Sequence, residues 1–128
     1  MADASYPDDL LYHAEHDWAR VEGEEATFGI TWYAQDSLGE VVFFDPPKVG
    51  AQVSKDEAYT EVESVKAVSD VISPLSGEII AVNDDLTDSP EKINEDPYGE
   101  GWLVRVRVSD PDEQEALMDA AAYEASLS

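Results

Sequence analysis

A chain of 128 residues with 43% hydrophobic side chains is long enough for one core, and without cysteine it has no disulfide framework, thiolate metal site or thiol nucleophile. Its 30 acidic residues against 7 basic ones leave a formal charge of −23, which excludes nucleic acid and anionic membranes as partners, because both are held by clustered Lys or Arg. The hydrophobic content argues for a folded core rather than the disorder common in acidic chains, and so acidic a folded surface fits a salt-rich cytosol, where screening removes most self-repulsion.

In chain order, residues 1–8 read as a flexible acidic N-terminus with no basic n-region or Arg-rich transit pattern, which points to the cytoplasm. Trp18–Glu22 and Ala26–Ile30 flank Gly23 and predict a hairpin with a short loop. Thr31 can cap a short helix through Leu38, ended by Gly39. Val41-Val42-Phe43-Phe44 reads as a buried strand stopped by Pro46-Pro47, and Glu78–Val82 as a further strand before the turn Asn83-Asp84-Asp85. Pro90–Asn94 is a helical turn. Trp102–Val108 alternates, with Trp102, Val104, Val106 and Val108 predicted inward and both arginines outward. At the C-terminus, Asp110 as N-cap, Pro111 at the first position and Glu113 as capping-box partner predict a helix over 110–126, with an apolar stripe of Leu117, Met118, Ala121, Ala122 and Ala125. Short strands with peripheral helices predict a mainly β chain, a β-sandwich or flattened barrel of one domain. No apolar run approaches the length of a membrane span.

The stretch from Val62 to Val71 reads nearly the same from either end. Val62 mirrors Val71, Glu63 mirrors Asp70, Ser64 mirrors Ser69 and Val65 mirrors Val68, which predicts a hairpin with Lys66-Ala67 as a two-residue loop. Neither loop residue favours the positive φ that primed turns require, and the pairing would set two acids face to face. A lysine displayed at that local cost has the look of an attachment point. Valines at every third position also suit one face of a helix, but β-branching, the missing cap and Ser73-Pro74-Leu75-Ser76-Gly77 favour the hairpin.

Other candidate sites are thin. His13 and His16 lie three apart without an HExxH pattern, so a packed or capping pair is the simpler reading. Asp84, Asp85 and Asp88 lack calcium-loop spacing, Gly99-Glu100-Gly101 sets an acid where phosphate would sit, and no serine has a nucleophile motif. A chain with no active site of its own reads as a carrier.

One family resemblance ties these segments together. Glu63-Ser64-Val65-Lys66-Ala67, with Ser69-Asp70 and Ser73-Pro74-Leu75-Ser76-Gly77-Glu78, resembles the lipoyl-attachment segment of the glycine cleavage system H proteins. His16-Asp17-Trp18, Gly29-Ile30-Thr31 with Tyr33-Ala34-Gln35, Leu38-Gly39-Glu40-Val41-Val42, and Pro97-Tyr98-Gly99 with Gly101-Trp102 fit in the same order, so the likeness spans residues 6–125. Asp17 stands where the family often has Glu, Trp32 where a smaller or acidic residue is usual, and Phe44-Asp45-Pro46-Pro47 also departs from the family wording.

The resemblance implies a single lipoyl-carrier domain over residues 1–128, folded as a barrel-sandwich hybrid of antiparallel sheets with short peripheral helices and a C-terminal helix. It implies lipoic acid in amide linkage on Lys66, framed by Glu63, Ser64, Val65 and Ala67, with Asp17 and Asp70 as candidates to hold an aminomethyl-loaded arm. Its partners would be a pyridoxal-phosphate glycine decarboxylase, a tetrahydrofolate-dependent aminomethyltransferase, a flavin (FAD) dihydrolipoamide dehydrogenase, and a lipoate ligase or lipoyl transferase. The carrier itself would be a non-catalytic monomer, docking through apolar surface near the arm such as Trp32 and Tyr33. The rival readings are a lipoyl or biotinyl domain serving another multienzyme complex, or a relay that passes its lipoyl group to other carriers.

Overall fold

The computed structural model describes residues 6–127, so the greater part of the N-terminal segment read as flexible lies outside the described residues. Two antiparallel sheets enclose the main core. The larger has the order β1-β2-β3-β9-β8-β5, built from Leu11–His13, Asp17–Glu22, Glu25–Ile30, Val104–Val108, Gly77–Val82 and Gln52–Val53 respectively. The smaller has the order β4-β6-β7, from Val41–Asp45, Ala58–Ser64 and Val68–Ile72. The mainly β sandwich expected from the sequence is therefore present; the two short strands β1 and β5 had no clear alternation to announce them.

Between the sheets Phe28, Val41, Phe44, Val62, Leu75, Ile79, Val104 and Val106 are buried together, which supplies the apolar burial that holds the layers. A second cluster, Leu10, Tyr12, Trp18, Ala120 and Tyr123, lies under the C-terminal helix. Gly29 is required there, since a Cβ would come within 2.5 Å of the Trp18 ring.

Helix α1, Trp32–Leu38, forms where its signals placed it. The Thr31 side chain accepts from the Ala34 N–H, and Gly39 at φ 81° ends the helix with its N–H on Gln35. Two further one-turn helices, α2 at Asp85–Asp88 and α3 at Lys92–Glu95, pack Leu86 and Ile93 into the core.

Four expectations are corrected. In β4, a register shift between Val41 and Phe43 turns Val42 and Phe43 to solvent, both 47% exposed, where a fully buried strand was expected. Trp102 lies outside β9 and packs against the smaller cluster. The predicted helix over 110–126 is broken: a 3-10 turn at Pro111–Ala116 is followed by α4 at Ala120–Ser126. Met118 exchanges two backbone bonds of 2.8 Å with Tyr12, so the chain is extended there, and Asp119 caps a new helix. Ala120 and Tyr123 are the buried residues of α4, not the predicted alanine stripe. Asp110 does cap the first turn, but the Glu113 carboxylate bonds the Ser76 N–H and hydroxyl at 2.7 and 2.9 Å rather than closing a capping box.

The fourth correction concerns the mirror-image hairpin. β6 and β7 do pair, but Glu63 faces Val68, Val62 faces Ser69 and Glu61 faces Asp70. The two-residue loop is therefore Val65-Lys66, one residue earlier than predicted, and the palindrome is not the pairing. No helix among the described residues is long and apolar enough to cross a membrane.

Candidate functional site

The hairpin tip is held by a serine rather than by glycine. Ser64 donates its backbone N–H to the Ala67 carbonyl at 2.8 Å, and its hydroxyl oxygen lies 3.3 and 3.1 Å from the Lys66 and Ala67 N–H groups. These bonds satisfy the donors that the turn would leave open, so Val65 and Lys66 bridge the strands with no positive φ at either residue. Across the tip, Val65 donates to the Glu40 carbonyl at 3.0 Å, tying the loop to the end of α1. The methylenes of Lys66 run over Gly39, where an added Cβ would meet Cε at 3.5 Å. Lys66 is exposed and takes part in no ion pair among the described residues. By contrast, Lys55 and Lys92 are held 3.0 Å from Asp56 and 3.9 Å from Asp85.

Beside the tip, a cavity of about 320 Å³ opens between β7, α1 and the Glu15-His16-Asp17 turn. It gathers Asp17 and Asp70, far apart in sequence, on one wall system with Ala67 and Val68. Asp17 is 2% exposed, and its Oδ2 has no hydrogen-bond partner. Burial pushes its carboxyl well above the usual carboxylate range; Glu15 adds to this, and a backbone bond from Ile72 opposes it. Asp70 is exposed at the mouth. Glu63 is half-buried, and Val65 and Val68 are 68% and 57% exposed.

A larger cavity, about 450 Å³, lies on the other side of Gly39 and is lined by Asp36, Glu40, Glu91 and Glu95 with Gln35 and Asn94. Its carboxylates are exposed, so the smaller cavity, with a buried unpartnered acid, is the better seat for a cation.

The two histidines are fastened separately. His13 Nε2 lies 2.6 Å from Asp56 Oδ1 while Nδ1 accepts from the Glu15 N–H at 3.0 Å, and this pairing holds the Asp56 carboxyl low. His16, at φ 73°, packs against the Tyr33 ring at a tilt of 36° with ring centres 4.5 Å apart and places Nδ1 2.7 Å from the Tyr123 hydroxyl. Each histidine is thus packed on partners of its own rather than against the other, and among the described residues no three His, Cys, Asp or Glu gather as metal ligands. The roles of Gly39 and Tyr123 were not read from the sequence. Gly39 was legible only as a helix stop, and Tyr123 meets its partners across a separation of about a hundred residues, which no local pattern records.

The family model for the glycine cleavage H-protein matches residues 10–128. The chain belongs to the glycine cleavage H-protein family. Glycine cleavage system H proteins of Symbiobacterium thermophilum and Bacillus subtilis are 52% and 50% identical to it, over 95% and 94% of both chains. The crystal structure of a glycine cleavage system H protein from Mycobacterium marinum superposes with a TM-score of 0.84 at 39% identity, covering 94% of this chain and 98% of that one. The H-protein match takes in His16, Asp17, Lys66, Asp70 and Tyr123 together. Full-length correspondence to H proteins, including the C-terminal segment, speaks against the rival reading as a lipoyl or biotinyl domain of another complex.

Proposed function

We propose that Lys66 carries lipoic acid in amide linkage and that the protein works as a non-catalytic, cytoplasmic carrier in glycine cleavage. On this reading it moves the aminomethyl group of glycine among glycine decarboxylase, the tetrahydrofolate-dependent aminomethyltransferase and dihydrolipoamide dehydrogenase, after a lipoate ligase or lipoyl transferase has modified it. The observation that carries the reading is a free, exposed lysine at a braced hairpin tip beside a cavity containing a buried acid with an open oxygen. When bound, the lipoyl group supplies the dithiolane chemistry; the chain supplies position and protection.

Ser64 fixes the direction in which Lys66 leaves the tip, and Gly39 gives its methylenes a track with no side chain in the way. Amide formation removes the lysine charge, so the aliphatic arm can lie along apolar Val65, Ala67 and Val68 without a desolvated cation. Asp17 and Asp70 then stand as acceptors for the ammonium of an aminomethyl cargo, and charge-assisted bonds of this kind contribute about 1.5–3 kcal/mol each when shielded.

The test is intact mass after co-expression with a lipoate ligase, followed by glycine–bicarbonate exchange with the purified decarboxylase. The wild type gains one lipoyl group and supports exchange, while Lys66→Arg stays folded, gains none and is inert. A lipoyl adduct or residual exchange in Lys66→Arg refutes the assignment.

A further inference from the structure

We propose that Tyr123, on α4, is a positioning residue for the cleft: its hydroxyl locks the His16 imidazole as the Nε2–H tautomer and so keeps it from acting as a base toward an amine held there. This rests on the reading of the cleft as the seat of the loaded arm.

The direction of the hydrogen bonds follows from counting protons. Thr31 is fully buried, and its Oγ1 already accepts the Ala34 N–H at 3.2 Å as the helix cap. Its own proton needs an acceptor, and the Tyr123 hydroxyl oxygen lies 2.8 Å away. Tyr123 then donates its proton to His16 Nδ1 at 2.7 Å. The reverse order would leave the Thr31 proton buried with no acceptor. A neutral imidazole that accepts at Nδ1 carries its proton on Nε2.

The ring cannot easily turn away from this arrangement. The His16 N–H bonds the His13 carbonyl at 2.9 Å and its carbonyl accepts from Thr31 at 3.1 Å, while the tilted Tyr33 ring packs against the imidazole. Burial lowers the His16 pKa, and Glu15 pulls it back while His13 adds to the lowering. The other titratable groups facing it are Asp17 and Asp70 across the cavity and Tyr33 against the ring. His16 lines the cavity, and its Nε2 has no partner among the described residues. The nitrogen that Tyr123 leaves free is then a hydrogen-bond donor, with no lone pair.

This matters for a cargo with an amine one carbon from sulfur. Such a group is inert while it is an ammonium. If a base takes its proton, the nitrogen lone pair forms a C=N bond as the C–S bond breaks, the electron pair leaving on sulfur. Water then converts the iminium cation to formaldehyde and ammonium, and the protonated base returns its proton to the thiolate. An imidazole with a bare Nε2 beside Asp17 would be such a base; the Tyr123 bond prevents it.

Tyr123→Phe keeps the ring that stacks on Tyr12 at 4.8 Å and removes only the hydroxyl. Long-range proton–nitrogen NMR of the unmodified protein, from about pH 5 to about pH 9, reads the tautomer directly. The expected result is a single Nε2–H form of His16 in the wild type and in Thr31→Ser, with mixed tautomers and a raised His16 pKa in Tyr123→Phe. An Nδ1–H wild type, or a Tyr123→Phe spectrum and titration that superpose on the wild type, overturns the proposal. In lipoylated, aminomethyl-loaded protein, Tyr123→Phe should release formaldehyde several-fold faster, with the excess rate growing as His16 loses its proton. If Asp17→Asn hastens release and Tyr123→Phe does not, the cleft stands and this proposal falls. If neither hastens it, the cleft reading falls and takes the proposal with it.

Discussion

Asp17→Asn should make the unmodified protein more stable at neutral pH, because the wild-type carboxyl is buried with one oxygen unpartnered. Burial, by stripping water from the charged form, raises its pKa well above the ordinary carboxylate range. A raised folded-state pKa stabilises fully below the unfolded value and loses that contribution as pH rises through the folded one. At pH 7 the native state therefore either buries a charge or binds a proton that the unfolded chain has released. The second route sets the ceiling: about 1.36 kcal/mol for each pH unit above the ordinary carboxyl pKa of about 3.9, on the order of 4 kcal/mol at pH 7. Asn keeps an acceptor for Ile72 but introduces an unpaired N–H donor costing about 1–3 kcal/mol. The net gain is therefore at most about 1–3 kcal/mol. With an unfolding entropy of about 2.1 cal/mol/K per residue, the middle of that range is a rise in Tm of about 7 °C. Melting followed by circular dichroism from about pH 3.5 to about pH 8 should show the two proteins alike, or Asn slightly weaker, at the acid end, and diverging as pH rises. A pH-independent difference, or an Asn variant less stable at pH 7, refutes the reasoning. The gain should come with a weaker hold on an ammonium cargo, so the site keeps an acid that the fold would be better without.

Gly39→Ala should cost about 1–3 kcal/mol, read as a fall in Tm, since φ 81° with ψ −156° is open essentially to glycine alone; its Cβ would stand at ordinary contact distance from Lys66 Cε, 3.5 Å, so the lipoylation rate by intact mass should change little unless the backbone itself shifts. Phe43→Ser, at an exposed apolar position opposite Glu63 on the strand next to the Lys66 hairpin, should leave Tm nearly unchanged and lower apparent affinity for the decarboxylase in the exchange assay; unaltered affinity removes this face from the docking surface. The net charge of −23 should make stability rise with KCl, because the Debye length falls from about 8 Å at physiological salt to about 3 Å at 1 M. A flat Tm from low to multimolar KCl would discard the salt-rich cytosol as the reason for the acidic surface.

Local chemistry made much of this molecule readable in advance. Thr31 and Gly39 bracket α1 as their side chains dictate, and the alternation of β9 sends Arg105 and Arg107 outward over buried Val104 and Val106. The hairpin around Lys66 was legible, but its register was not. Matching residue types gave one pairing; Ser64, able to satisfy two turn N–H groups itself, gave another. The break at Met118 was invisible because its cause, a bridge to Tyr12, lies at the other end of the chain. The same limit applies to the cleft. Asp17 and Asp70 were singled out by resemblance, and the relay from Thr31 through Tyr123 to His16 needed the packed structure.

The two sheets differ in how much of the chain each must wait for. β4, β6 and β7 all lie between Val41 and Ile72, interrupted only by the two-residue β5 of the other sheet, so the sheet that displays Lys66 is complete in sequence once residue 72 has left the ribosome. The larger sheet pairs Glu25 with Arg107 and Phe28 with Val104, and closing it requires loops of most of the chain's length. Non-local pairing of that kind is slow because the loop entropy is lost before the contacts form. Every residue lining the neighbouring cleft, from Glu15 to Val71, has been made by the time residue 72 emerges as well, whereas the Tyr123 hydroxyl that bonds His16 comes last. A modifying enzyme that needs only the hairpin can therefore engage Lys66 before the C-terminal helix has fixed His16.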